Sequence, residues 1–156
     1  MTADMTDTFW NRLSKIRAVM LDAGTGSPVP MAPIARQEDG AIWFITSSDH
    51  DTFQASKNGA ASDIYLCDSS GHMYGTVKGT LSASDDTDKL DELWTPMAAA
   101  WFKNGREDDS VRLMKYTPRE AEVWVTDGTV KYLFETIKAN VTDDTPDTGD
   151  YGVIHF

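Results

Sequence analysis

The chain has a single cysteine, Cys67, in 156 residues. One thiol forms no internal disulfide, and no Cys/His group has zinc-ligand spacing. A reducing compartment follows, with Cys67 read as a small core residue of a strand. Cations are also scarce. Fourteen Lys and Arg stand against 25 Asp and Glu, a net charge of −11. Nucleic-acid binding rests on cations against phosphates, so neither DNA nor RNA is an expected partner. An anionic membrane surface is disfavoured for the same reason. No apolar run approaches the roughly 20 residues that cross a bilayer as a helix. The opening Met1-Thr2-Ala3-Asp4-Met5-Thr6-Asp7 lacks the basic and apolar regions of a signal peptide. The expectation is a cytoplasmic protein with no membrane and no nucleic-acid partner.

Several chemical motifs are missing too. Gly24-Thr25-Gly26 follows a strand-like run, but no third glycine opens a helix behind it, so a dinucleotide fingerprint is unsupported. There is no P-loop, no G-x-S-x-G elbow and no H-E-x-x-H. The three histidines, His50, His72 and His155, share no spacing, and Asp49-His50-Asp51 reads as solvated turn residues rather than a metal site.

What is present is a globular composition, 40% hydrophobic with eleven Gly and six Pro. The length suits one domain, taken as residues 1–141, followed by an acidic tail at 142–156 able to end in a strand. Met5, Phe9, Leu13 and Ile16 recur at helical spacing, predicting an amphipathic helix over 4–15. Strands are predicted at 17–23, 41–46, 62–68, 73–82, 110–116 and 120–126, the last two joined through Thr117-Pro118. Residues 29–36 read as one extended stretch, and its prolines suggest an edge or a bulge. Ser47-Ser48-Asp49 can cap a helix over 50–58. Asp85-Asp86 opens another that carries Leu90, Leu93 and Trp94, and Pro96 restarts it to Phe102. A last helix is predicted over 129–140. Many strands, few helices and no βαβ alternation point to an α+β, mainly β, antiparallel Greek-key barrel with flanking helices.

In order, these pieces carry a resemblance. It rests on Pro30-Met31-Ala32, on Asp39-Gly40-Ala41-Ile42-Trp43-Phe44-Ile45-Thr46-Ser47 and on Val77-Lys78-Gly79-Thr80. It continues through Lys89-Leu90-Asp91-Glu92-Leu93-Trp94-Thr95-Pro96, Ala100-Trp101-Phe102-Lys103-Asn104-Gly105 and Arg119-Glu120-Ala121-Glu122-Val123-Trp124, and ends on Pro146-Asp147-Thr148-Gly149-Asp150-Tyr151-Gly152. The chain resembles the FMN-binding split-barrel superfamily, in the general stress protein 26 branch of the pyridoxamine-phosphate-oxidase-like proteins. The resemblance implies a split β-barrel homodimer with FMN, or FAD, at the subunit interface. It lines the flavin ring with Val29, Pro30 and Met31, and sets Ile45, Thr46 and Ser47 against the ring or the ribityl chain. It directs the helix that starts near His50 at the phosphate, and covers the ring with Trp94, Trp101 and Phe102 contributed by the second subunit.

This chain departs from the branch at two places. Val29 stands where an arginine is usual, and Asp49-His50-Asp51-Thr52 occupies the stretch that usually brings a lysine to the phosphate. Lys57, a turn further on, is the substitute that the sequence offers. The activity implied is that of a flavin-dependent oxidoreductase of unknown substrate. The alternatives are a flavin- or ligand-binding stress protein without turnover and a structural dimer that has lost FMN. No catalytic residue and no metal ligand is singled out.

Overall fold

The structure, a computed structural model, describes residues 2–68, 70–126, 137 and 149–156. Eight strands lie among them: β1 (Val19–Asp22), β2 (Val29–Met31), β3 (Ile34–Arg36), β4 (Ala41–Ser47), β5 (Ala60–Asp68), β6 (Met73–Ser84), β7 (Val111–Thr126) and β8 (Gly149–His155). They form one antiparallel sheet in the order β2-β1-β5-β6-β7-β4-β3, with β8 added beside the second half of β7. β2 and β3 follow each other in the chain, yet they are the two opposite edges of this order. Only Ala32 and Pro33 join them. Three peptide steps from Met31 to Ile34 reach about 11 Å at most. The sheet must therefore curl until its edges nearly meet, and the result is a split barrel.

That closure corrects the reading of residues 29–36 as one stretch. They are two edge strands, where prolines are tolerated because an edge leaves N–H positions unused. The opposite correction applies to β7, which runs unbroken through Thr117-Pro118. Its register against β6 slips at this point, with Gly79 opposite Pro118 and Lys78 opposite Glu120. The bulge absorbs the proline that seemed to divide the strand. Gly79 makes it possible, since a Cβ there would lie 2.3 Å from the Thr117 carbonyl oxygen.

The barrel interior is filled from both ends of the chain. Helix α1 (Thr2–Leu13) lays Phe9 and Leu13 into the core, and Ile16 follows just beyond it. The Phe9 ring meets Trp10 at 5.3 Å and Phe156 at 5.2 Å, both edge-on. The Arg12 guanidinium donates to the Thr126 carbonyl at 2.9 Å, tying the helix to the end of β7. Ile42, Phe44, Ile64, Val77, Leu81, Met114 and Val123 complete the core. Among them, the buried Tyr116 hydroxyl lies 2.8 Å from the Ser62 carbonyl and 3.0 Å from that of Val77. Burial pushes its phenol above the ordinary tyrosine range, so it remains a donor.

The remaining helices are shorter than the sequence suggests. α2 spans Asp51–Ser56, and His50 rather than Ser47-Ser48-Asp49 caps it, its Nδ1 accepting the Thr52 N–H at 3.2 Å. α3 is Thr87–Leu93, capped by Asp86, and α4 is only Pro96–Ala99. The segment from Ala100 to Asn104 is turns, which places Trp101 and Phe102 outside any helix. Cys67 is exposed, not a core residue. Alternation along β5 turns Ile64 and Leu66 inward and so turns Tyr65 and Cys67 outward. The strand expected at the end of the chain is β8. The helix over 129–140, Ile137 apart, lies outside the described residues. No helix among the described residues is long and apolar enough to cross a membrane.

Gly75 sits opposite Val123 at φ +148°, and a Cβ would lie 2.0 Å from the Glu122 carbonyl oxygen. Gly75→Ala combines a disfavoured backbone with a backbone clash. It should lower stability by about 2 kcal/mol or more in urea unfolding, while Gly59→Ala, strained but uncrowded, should cost less.

Candidate functional site

β4 is buried on both faces. Ile42 and Phe44 face the barrel core, whereas Ala41 and Trp43 face a second cluster with Leu90, Leu93, Val111 and Leu113. Ile34, Ile45, Trp94 and Phe102 pack on that second cluster from outside. The Trp94 and Phe102 rings stand 5.8 Å apart at 44°. The structure thus gathers three of the expected ring-binding residues, Ile45, Trp94 and Phe102, on the α3 side of β4.

Trp43 anchors this side. Its indole N–H donates to Asp39 at 3.1 Å, and the Lys89 and Lys115 ammonium groups each lie 5.6 Å from its ring centroid. Lys89 also bonds Asp39 at 2.9 Å and Glu92 at 3.0 Å. The hydrogen bond from Lys89, with that from Trp43, holds the Asp39 carboxyl below its ordinary range, and the two carboxylates hold Lys89 above its own. None of these residues stood out in the sequence as a group, because the contacts join positions 39, 43, 89 and 115.

A second group lies past the end of β4. Thr25, Ser27 and Val29, from the β1–β2 turn and the start of β2, face Asp49, His50, Asp51 and Thr52 across an open cleft of about 330 Å³. The β1–β2 turn is held by Asp22, whose carboxylate accepts the Gly24 N–H at 2.9 Å. The Ser47 hydroxyl bonds the Asp49 carboxylate. That bond, then Asp49's own N–H, keeps this carboxyl below its ordinary range, so it is charged at neutral pH. His50 uses Nδ1 as an acceptor, which leaves Nε2 to carry the ring proton.

The other expected residues are dispersed. Met31 packs on the main core, and Thr46 is buried on the same face as Phe44. Pro30 is on the exposed face opposite Met20. Lys57 caps the C-terminal end of α2 and lies over the Phe53 ring at 5.9 Å, outside the cleft. Thr52 is 1% exposed and lines the cleft from the first turn of α2. Trp101 is 83% exposed. Sequence reading missed Arg112, which pairs with Thr46 in register and places its guanidinium 6.0 Å from Phe53. No cluster of three or more potential metal ligands occurs among the described residues.

A family model described as "Pyridoxamine 5'-phosphate oxidase like" matches residues 4–147. The chain belongs to this family. A candidate general stress protein 26 from Jannaschia sp. CCS1 has a crystal structure that superposes with a TM-score of 0.92, at 38% identity over 99% of both chains. The general stress FMN/FAD binding protein of Xanthomonas citri superposes at 0.72, with 26% identity over 82% of this chain and 93% of that one. General stress protein 26 of Bacillus anthracis str. Sterne, at 0.65 and 16% identity over 76% and 92%, shares the fold. None of the curated proteins matches.

FMN and FAD both carry phosphate, and the cleft at Asp49–Thr52 does not fit one. Among the described residues, two carboxylates line it and neither Lys nor Arg does. α2 has six residues, and His50 already takes the Thr52 N–H. Its donors, the Thr25 and Ser27 hydroxyls and the His50 Nε2–H, suit an uncharged polar group.

The Asp39 carboxylate is lowered in the folded chain, so its contribution to stability is present above its unfolded value and is lost as the pH falls. Asp39→Asn should be less stable than the parent at pH 7. Thermal unfolding should show that difference closing as the pH falls below about 4.

Proposed function

We propose that this protein binds a flavin and acts as a flavin-dependent oxidoreductase of the general stress protein type. The observation that carries this reading is 26% identity to a general stress FMN/FAD binding protein over most of both chains. The geometry agrees in part. Ile45, Trp94 and Phe102 offer flat apolar surface beside β4, and Val29 opens onto the polar cleft at the end of the same strand. A bound flavin would itself supply the electron or hydride chemistry, leaving the protein to hold and orient it.

The working unit of this proposal is a homodimer. Support comes from the outer face of the sheet. Met20, Tyr65 and Val153 lie along one cross-strand row there, with Thr76 and Glu122 between, and Cys67, Tyr74, Trp124 and Tyr151 lie along the next. Met20, Tyr65, Trp124, Tyr151 and Val153 all stand among the exposed large hydrophobics, and the Trp124 and Tyr151 rings meet at 4.9 Å. An exposed apolar band of this kind marks an association surface. The solvent-facing Trp101 would then find its contact across the interface.

The absent phosphate cations favour one second reading, a protein that binds its ligand without turnover. The two are separated by experiment. Purified protein supplied with riboflavin, FMN or FAD should acquire a bound-flavin absorbance spectrum, and Trp94→Ala should weaken that binding roughly tenfold. Reoxidisable reduction of the bound flavin by a nicotinamide donor supports the oxidoreductase; binding without reduction supports the second reading. Absence of any flavin binding removes both. In sedimentation the chain should run as a dimer, and Trp124→Glu should shift it towards monomer.

A further inference from the structure

We infer that the cleft beside α2 selects against phosphate, so that among flavins the unphosphorylated one, riboflavin, binds more tightly than FMN. This deepens the flavin reading above and rests on it. That reading lays the ring along β2 and β4 and turns the far end of the ligand towards Asp49–Thr52. The cleft there is lined by Thr25, Ser27, Val29, Asp49, His50, Asp51 and Thr52. Asp49 and Asp51 are both exposed at its rim, and no cation lines it among the described residues.

Two cations nearby are held elsewhere. Lys57 is six residues beyond Asp51, about 9 Å along the helix axis, and its ammonium lies over Phe53. Arg112 directs its Nη1 to the Asp109 carbonyl at 2.7 Å and to that of Val111 at 2.8 Å. Neither reaches the cleft wall. A helix terminus does not compensate, because α2 is a turn and a half long and its cap is already made by His50. A phosphate dianion placed here meets two like charges and one imidazole N–H. Repulsion between like charges a few ångströms apart is worth roughly tenfold in affinity even through water. The ribityl hydroxyl that riboflavin presents instead carries no charge. It can donate to a carboxylate and accept from Ser27, Thr25 or His50.

The test uses the full chain and three flavins. Riboflavin, FMN and FAD are titrated into it, and quenching of flavin and tryptophan fluorescence is followed at low and high salt. At low salt, riboflavin should bind at least about tenfold more tightly than FMN. The gap should narrow at about 0.5 M salt, where screening is short-ranged. The double variant Asp49→Asn/Asp51→Asn should raise the affinity for FMN relative to that for riboflavin by about the same factor. Asp51→Lys should reverse the order. Both aspartates are exposed, and circular dichroism would establish that the variants fold. FMN binding the parent chain as tightly as riboflavin, or tighter, overturns the inference and leaves the flavin reading intact. So does a gap that the aspartate variants do not move. Failure of every flavin to bind overturns both.

Discussion

Two residues, Ala32 and Pro33, hold together the edges of a seven-strand path. Because they reach so short a distance, β2 and β3 must approach each other, and the sheet between them must curl. Everything else follows from that curvature. The inward faces of β1, β4, β5, β6 and β7 converge on one core, which α1 closes with Phe9 and Leu13. The β1–β2 turn is swung over to the end of β4, which is how Val29 comes to face Asp49–Thr52. A flatter sheet would leave these two segments apart. It would also leave Tyr116 without its pair of carbonyl partners from β5 and β6.

A barrel wall usually has one dry face and one wet one. β4 has two dry faces, since α3 and the Trp94–Phe102 pair cover its outer side. Each fully buried aromatic or aliphatic side chain there contributes roughly 1.5–3 kcal/mol from apolar burial. The polar cost on that side is met locally: Trp43 finds Asp39 for its N–H, and Asp39 finds Lys89. β4 is therefore the rigid element of the molecule and a suitable support for a ligand. The cleft past its end is made of turns and a short helix.

The family supplies the expectation of a flavin, and the geometry divides that expectation in two. The apolar aromatic surface beside β4 suits a flat ring. The acidic cleft, without a cation among its described residues, does not suit a phosphate. A net charge of −11 gives no distant field to offset the local one. The same charge would oppose self-association if it were spread evenly. The exposed Met20, Tyr65, Trp124, Tyr151 and Val153 form a face where apolar contact could outweigh it.

Much of this was legible in the residues alone. Helical spacing of Phe9, Leu13 and Ile16 marked the face that α1 buries, and the run Ala41 to Thr46 marked the central strand, because both patterns are set by local geometry. The replacement of cations by Asp49 and Asp51 was visible as plain sequence. What the sequence could not show was decided by partners far along the chain. Residues 29–36 became two strands because one half pairs with β1 and the other with β4. Thr117-Pro118 stayed inside a strand because Gly79, 39 positions earlier in register with Pro118, leaves room for a bulge. Cys67 turned outward because the parity of β5 is set by Ile64 and Leu66 seeking the core. The sequence by itself determined which segments are apolar on one face, and where charge is missing. Only the tertiary structure decided which edges meet and which side chains share a cleft, because a register or a closure is chosen by the whole sheet at once.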